Sequence, residues 1–255
     1  MTSEVELLGR QIGWEQRSYW RNPAAAGFSF VFPILIMVIF ASTSGNGRIS
    51  QLGNISYTQY YIPSIVAFGI MGVTFTNLAI TVTFKREAGT LKRVKGAPLP
   101  SWMYLGGLIG NSVVVGILLT ILVIAFGVIA YGVSFPGNVA ALIATLIVGA
   151  ACFCALGLAV TTVVPNADAA PAIVNLVFFP LLFISGTFFP ISQGSVLTKI
   201  AEVFPVRHFI TGTFAAFDPH APSSLRGSDL LVMAAWGAAG LLVANRCFRW
   251  EPSTK

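Results

Sequence analysis

The chain has 255 residues, of which 55% are hydrophobic and only 9% charged, with a mean hydropathy of +0.80. Soluble domains carry about 25% charged residues, so too little polar surface is present to cover a globule in water. The net charge of +6 does not point to nucleic acid, because the basic residues are dispersed in short stretches between apolar runs. That pattern reports membrane orientation and contact with anionic headgroups.

The first twenty residues lack the basic start of a signal peptide, since Glu4 and Glu6 stand there. They read as an amphipathic helix opened by a Ser3-x-x-Glu6 capping box. Glu6, Arg10, Arg17 and Arg21 share one face, while Val5, Leu8, Ile12 and Tyr19 lie opposite. Glu15 interrupts the apolar face. Trp14, Tyr19 and Trp20 are the aromatics expected of a helix lying in the headgroup plane.

Beyond it lie six apolar segments of the length needed to span a bilayer (about 20 residues). They fall near Ala24–Thr43, Tyr60–Phe84, Trp102–Ala130, Ala140–Val164, Ala169–Phe189 and Asp229–Cys247. The expected organisation is therefore an interfacial helix over 1–23, a six-span domain over 24–247 and a tail over 248–255. Pro33, Pro63 and Pro180 fall within or near the ends of spans, where kinks are tolerated. Arg10, Arg17, Arg21, Lys85, Arg86, Lys92, Arg93, Lys95, Arg246, Arg249 and Lys255 fall on one side of this arrangement. Arg48, Lys199, Arg207 and Arg226 fall on the other. The positive-inside rule then sets both termini in the cytoplasm of a multi-pass plasma-membrane protein. The long connection from Pro190 to Ser228 carries apolar residues at near-helical spacing, cut by Pro205 and Pro219, and predicts short helices at the outer leaflet.

Within these spans the ionisable residues are Asp229 and Arg246, at the two ends of the last. A transporter driven by protons or ions needs intramembrane carboxylates, histidines or broken helices, and the first two are missing. No GxxxxGK[ST] loop occurs, so a P-loop ATPase would have to be a separate chain. His208 and His220 lie on the outer connection, and no histidine stands within a span to serve Ser185 as a base. Cys152-x-Cys154 has no partner Cys or His nearby and reads as small buried hydrophobes, not as a metal site. Gly106-x-x-x-Gly110 and Ala234-x-x-x-Ala238 read as close-packing faces, with a dimer seam among their uses.

The most informative loop runs from Lys85 to Trp102. Leu91 and Val94 lie on one side of a short helix, Lys92 and Lys95 on another, and Gly96-Ala97-Pro98 ends it. Its ordered residues Arg86, Glu87, Gly89, Thr90, Leu91, Pro98 and Leu99 resemble the R-E-x-G-T-L…P-L loop of type-2 ABC exporter permeases. Ser185-Gly186-Thr187-Phe188-Phe189-Pro190, with Ile200-Ala201 and Pro205 beyond it, resembles a second motif of that family at the outer end of its fifth span. The chain is most similar to the daunorubicin-type, multidrug-export permeases. Lys92 replaces an acidic residue common after G-T-L, and Val94 a common Leu.

The resemblance implies an all-α integral membrane fold of six transmembrane helices. It adds an N-terminal connecting helix, a cytoplasmic coupling helix and extracellular re-entrant helices between spans 5 and 6. It implies a non-catalytic subunit that pairs with a second permease, identical or not. Two cytoplasmic P-loop ATP-binding subunits would carry ATP and Mg, and no cofactor would bind this chain. Arg86, Glu87, Gly89, Thr90, Leu91, Lys92, Val94 and Lys95 would form the coupling contact, braced by the connecting helix with Glu6, Arg10, Arg17 and Arg21. A hydrophobic or amphipathic substrate (drug, secondary metabolite, lipid or lipid-linked glycan) would pass between spans 2 and 5 of the two permeases. Thr74, Asn77 and Thr81 would line it from one and Asn175, Phe178, Phe179 and Phe183 from the other. Ser185, Gly186, Phe189, Pro190 and Pro205 would form the re-entrant motif. A secondary active transporter is the alternative, ahead of a membrane enzyme or assembly factor.

Overall fold

A computed structural model describes residues 4–44, 47–49, 55–96, 100–188, 196–218 and 225–251. The described residues are helical apart from turns and one two-residue antiparallel strand pair, β1 (Arg48–Ile49) with β2 (Ile55–Ser56). The helices are α1 (Glu4–Trp20), α2 (Pro23–Ser44), α3 (Tyr57–Met71), α4 (Leu78–Glu87), α5 (Thr90–Lys95) and α6 (Ser101–Tyr131). They continue with α7 (Val139–Val160), α8 (Ala170–Ile184), α9 (Val196–Ala201), α10 (Pro205–Phe217) and α11 (Gly227–Cys247). A π-helical turn, Gly72–Asn77, joins α3 to α4, so Tyr57–Glu87 is one unbroken helical span.

Five of these segments are long and apolar enough to cross a bilayer: α2, the α3–α4 span, α6, α7 and α11. The 15 residues of α8 reach only about 22 Å at 1.5 Å per residue, short of the roughly 30 Å hydrocarbon core. The segment expected over Ala169–Phe189 thus holds a shorter helix, which ends where Ser185 and Gly186 turn the chain. Likewise α7 ends at Val160 and not at Val164, because turns at Thr161–Val163 precede Pro165. Large apolar side chains face outward along α2 (Phe28, Val31, Leu35, Ile39) and α6 (Ile117, Ile121, Ile129). In water such belts would be a liability; in a multi-pass membrane protein they meet lipid. Pro33, Pro63 and Pro180 are carried inside their helices.

The α3–α4 span is the axis of the bundle, with every residue from Tyr60 to Met71 buried. Three apolar clusters are strung along it. One end gathers Leu78, Val82, Leu91, Tyr104, Leu108 and Leu158, with Val94, Phe248 and Trp250 packed against them. The opposite end gathers Met37, Tyr60, Ile62, Leu119, Leu142 and Phe217. Between them Phe68, Phe75, Phe153, Phe178 and Phe209 fill the middle. We refer to the first as the basic end, because α1, α5 and the residues after α11 meet there. Against α7 lies α11, backbone to backbone: a Cβ on Gly237 would meet Cys152 Cα at 3.2 Å, and one on Gly240 the Ala155 carbonyl carbon at 3.0 Å. Ala234 and Ala238 point outward beside this contact, so the close packing is made by the glycines next to them.

Candidate functional site

At the basic end the chain leaves α4 at Glu87 and turns through Ala88 and Gly89. Gly89 has φ 69° and ψ 9°, a left-handed conformation that costs an L-residue with a Cβ but not glycine. It caps α5, whose Leu91 is fully buried in the basic-end cluster while Val94 is half-buried. Lys92, Arg93 and Lys95 are exposed, and Arg93 donates to the Ala88 carbonyl at 3.2 Å. The result is a short cationic knob fixed by one leucine. Thr90 and Glu87 are half-buried, and Pro98 and Leu99 lie outside the described residues.

Arg86 points the other way. It is 3% exposed and its guanidinium donates to the carbonyls of Thr161 (2.9 Å) and Val164 (2.7 Å), at the end of α7 and in the turn toward α8. The last carbonyls of a helix have no partner within it and carry its negative partial charge. A guanidinium satisfies two at once, and stranding such buried acceptors costs about 1–3 kcal/mol. The structure therefore separates Arg86 from Lys92 and Lys95: Arg86 holds the helical bundle to itself, and the lysines face outward.

The polar face of α1 carries Glu6, Arg10, Arg17 and Arg21, all exposed, with Arg10 paired to Glu6 at 2.7 Å and Arg17 over the Trp14 ring. The opposite face lies on α6, where a Cβ at Gly106 would meet Leu8, at Gly107 Gln11 and at Gly110 Ile12. Gly106-x-x-x-Gly110 is a close-packing face as expected, and within the chain it is the seat of α1. Val5, expected on the apolar face, is exposed. Glu15, which interrupts that face in the sequence, is its anchor. It is buried and paired to Lys85 Nζ at 2.6 Å, accepts from Gln11 Nε2 at 3.2 Å, and Lys85 also sits over the Tyr104 ring. Burial raises the pKa of the Tyr19 phenol.

Beside this ion pair is a cleft of about 170 Å³ between α1, α4 and α6, walled by Glu15, Tyr19, Asn77, Thr81, Lys85 and Asn111. Thr81 donates to the Asn77 side chain at 3.4 Å, and the Asn111 amide oxygen is buried with no hydrogen-bond partner among the described residues. Thr74 is elsewhere, fully buried and bonded to the Ile70 carbonyl, with its own carbonyl and that of Phe75 close to Gly157 of α7. The expected stripe of Thr74, Asn77 and Thr81 is thus divided between two faces. Phe178 does face the α3–α4 span, its ring 6.0 Å from Phe68 and 6.3 Å from Phe75. Phe179 and Phe183 are exposed and Asn175 is half-buried.

At the far end Gly186 adopts φ 84° and its carbonyl accepts from Tyr60 Oη. Ser185 donates to the Leu182 carbonyl at 2.7 Å, and its own carbonyl accepts from Arg207 at 3.1 Å. Phe189, Pro190 and His220 lie outside the described residues, as does the Ser3 cap. Pro205 is buried at the start of α10, a helix that enters the bundle: a Cβ at Gly149 would meet the Phe209 ring at 2.2 Å. His208, expected to be an ordinary loop histidine, bridges elements. Its Nδ1 is 2.7 Å from Asp229 Oδ1 and its Nε2 donates to the Glu202 carbonyl at 2.8 Å. Arg226 reaches the other Asp229 oxygen at 2.9 Å. A lone carboxylate at the edge of an apolar run was the available signal for this cluster; for Tyr60 the sequence gives none.

Comparison with known proteins matches residues 11–217 to the family described as ABC-2 type transporter. The chain is 27% identical over 161 residues to "Probable multidrug ABC transporter permease YbhR" of Escherichia coli strain K12, covering 61% of this chain and 43% of that one. It thus spans less than half of that relative's length. It is 23% identical over 194 residues to "Inner membrane transport permease YadH" of the same strain, covering 72% and 73% of the two chains. It is 26% identical over 219 residues to "Nodulation protein J" of Rhizobium leguminosarum bv. trifolii, covering 82% of each.

Proposed function

Since this chain belongs to the ABC-2 type transporter family, we propose that it is the membrane subunit of an ATP-driven exporter. In this reading α8 is a short fifth span, giving six spans with both termini cytoplasmic, and residues 1–23, 24–247 and 248–255 are the connecting helix, the permease domain and the tail. Two P-loop subunits, carrying ATP and Mg, dock on the basic end, and a second permease completes the membrane pore. The observation that carries the reading is the cationic knob of α5. Three cations project from a helix whose only fully buried side chain is Leu91, and α4, which leads into it, is clamped to α7 by Arg86. A force applied to the knob is delivered to the spans and not lost in a loose loop. α9 and α10 are the re-entrant helices of the outer face. The exposed rings of Phe179 and Phe183 on α8 suit a hydrophobic or amphipathic substrate moved outward between the two permeases.

Co-purification from mild detergent should recover a P-loop ATPase with the chain. Glu87→Lys and Gly89→Pro should abolish transport and substrate-stimulated ATP hydrolysis with membrane insertion intact. Gly89→Pro does so because proline cannot adopt φ near 69°. Transport that proceeds on an ion gradient without any ATPase would overturn the reading in favour of a secondary transporter.

A further inference from the structure

The span from Tyr57 to Glu87 carries a hydrogen-bond donor near each end, and both donors hold the backbone on either side of α8. Near the basic end Arg86 holds the Thr161 and Val164 carbonyls, at the end of α7 and in the turn that leads from it to α8. Near the far end Tyr60 holds the Gly186 carbonyl, just after α8. The donors are twenty-six residues apart on one helical span, or about 39 Å. Between them the seam is apolar: Phe68 and Phe75 against Phe178. Apolar surfaces in lipid are held by van der Waals packing without a hydrophobic drive, which leaves the register of large side chains free. Directional bonds at the two ends do not.

We propose that Tyr60 and Arg86 are positioning residues that fasten the α8 segment to the α3–α4 span at both ends, so that the two move as one body when the basic end is driven. The inference rests on the ATP-coupled reading above and adds to it the route by which motion at α5 reaches the far end. Both residues are buried and act through backbone carbonyls. Arg86 suits its place because its planar fork presents donors to two carbonyls in a fixed geometry, where a lysine offers a point charge on a flexible stem. The Tyr60 ring packs at a tilt against Phe214 and edge-on to Tyr61, so packing helps aim its hydroxyl.

The test is hydrogen–deuterium exchange on the permease purified with its ATP-binding subunit, with and without ATP, Mg and vanadate. The wild type should change its exchange on trapping at three places: 87–96, 161–169 and 183–188. Tyr60→Phe removes one oxygen and keeps the ring. It should speed nucleotide-free exchange at 183–188 by about fivefold, as loss of one ordinary hydrogen bond does, and erase the trapping response there while 87–96 and 161–169 still respond. Arg86→Lys should erase the response at 161–169 and also at the distant 183–188, leaving 87–96 responsive. A purely local role would not move that distant response. If Arg86→Lys does not assemble, Tyr60→Phe decides alone. A trapping response at 183–188 that survives Tyr60→Phe overturns the proposal. A wild type that shows no response at 87–96 overturns the ATP-coupled reading itself, and the fastening with it.

Discussion

Two amphipathic helices, α1 and α10, are each seated on glycine and each secured by a buried carboxylate, yet α1 lies along the flank of the bundle and α10 inside it. The seats are Gly106, Gly107 and Gly110 for α1 and Gly149 for α10. The carboxylates are Glu15 facing Lys85 and Asp229 facing His208. What differs is the charge each helix would have to bring in. Glu4, Glu6, Arg10 and Arg17 are spread along α1, and Glu15 is its one buried residue among those described. In α10 the charged or ionisable side chains are confined to Arg207 and His208 in the first turn, and Val206, Phe209, Ile210, Thr213, Ala216 and Phe217 are buried. Amphipathicity fixes which face is apolar. The number of charges on the other face decides whether the helix can be surrounded.

If that is right, α1 depends on its ion pair and α10 on its packing. The largest effect should come from Lys85→Met, which strands Glu15 in a buried site. Breaking a buried pair on one side costs about 3–5 kcal/mol. It should appear as a lowered unfolding temperature in detergent and a shifted Trp14 and Trp20 emission as α1 lifts away. Glu15→Gln combined with Lys85→Met should recover most of the loss, and failure to recover would mean that the pair is incidental. Next is Gly149→Ala, where the new Cβ would lie 2.2 Å from the Phe209 ring. Overpacking of this kind costs about 1–3 kcal/mol, read by thermal unfolding and by faster exchange in α10. The matching change under α1, Gly107→Ala, meets the flexible Gln11 chain at 2.3 Å and gains helix propensity. It should stay within about 1 kcal/mol of wild type by thermal unfolding. Equal losses at the two seats would erase the distinction. The smallest effect belongs to Arg10→Ala, since exposed i, i+4 pairs are worth about 0.3–0.5 kcal/mol; a larger drop in unfolding temperature would show that the outer face of α1 also carries load.

The two helices also show how much a sequence discloses. Apolar runs and the placement of Lys and Arg mark the helices of the bundle, because length and solvation act locally along the chain. Partnerships are not local. Glu15 looks like a flaw in an apolar face until Lys85, seventy residues away, stands beside it. Gly106 and Gly110 announce that something packs closely, but not that it is α1. The division of Thr74 from Asn77 and Thr81 has a different cause. A π turn takes up one residue more than an α turn, so residues inside and beyond it drift progressively off an α-helical wheel, and Thr74 lies inside it. Residues drawn on one face of an unbroken wheel part company across Gly72–Asn77. Tyr60 is harder still: an apolar-looking aromatic among aromatics, whose hydroxyl matters only because Gly186 turns its carbonyl inward.

The contact between α7 and α11 has a practical consequence. Gly237 and Gly240 leave no layer of side chains between the two backbones, so the pair cannot shear without breaking van der Waals contact along its length. It behaves as a strut. Cys152 and Cys154 are sealed inside or beside it, while Cys247 at its end is exposed. A reporter attached to that native thiol rides on this strut, and supplies a datum from which displacement of α8 can be measured.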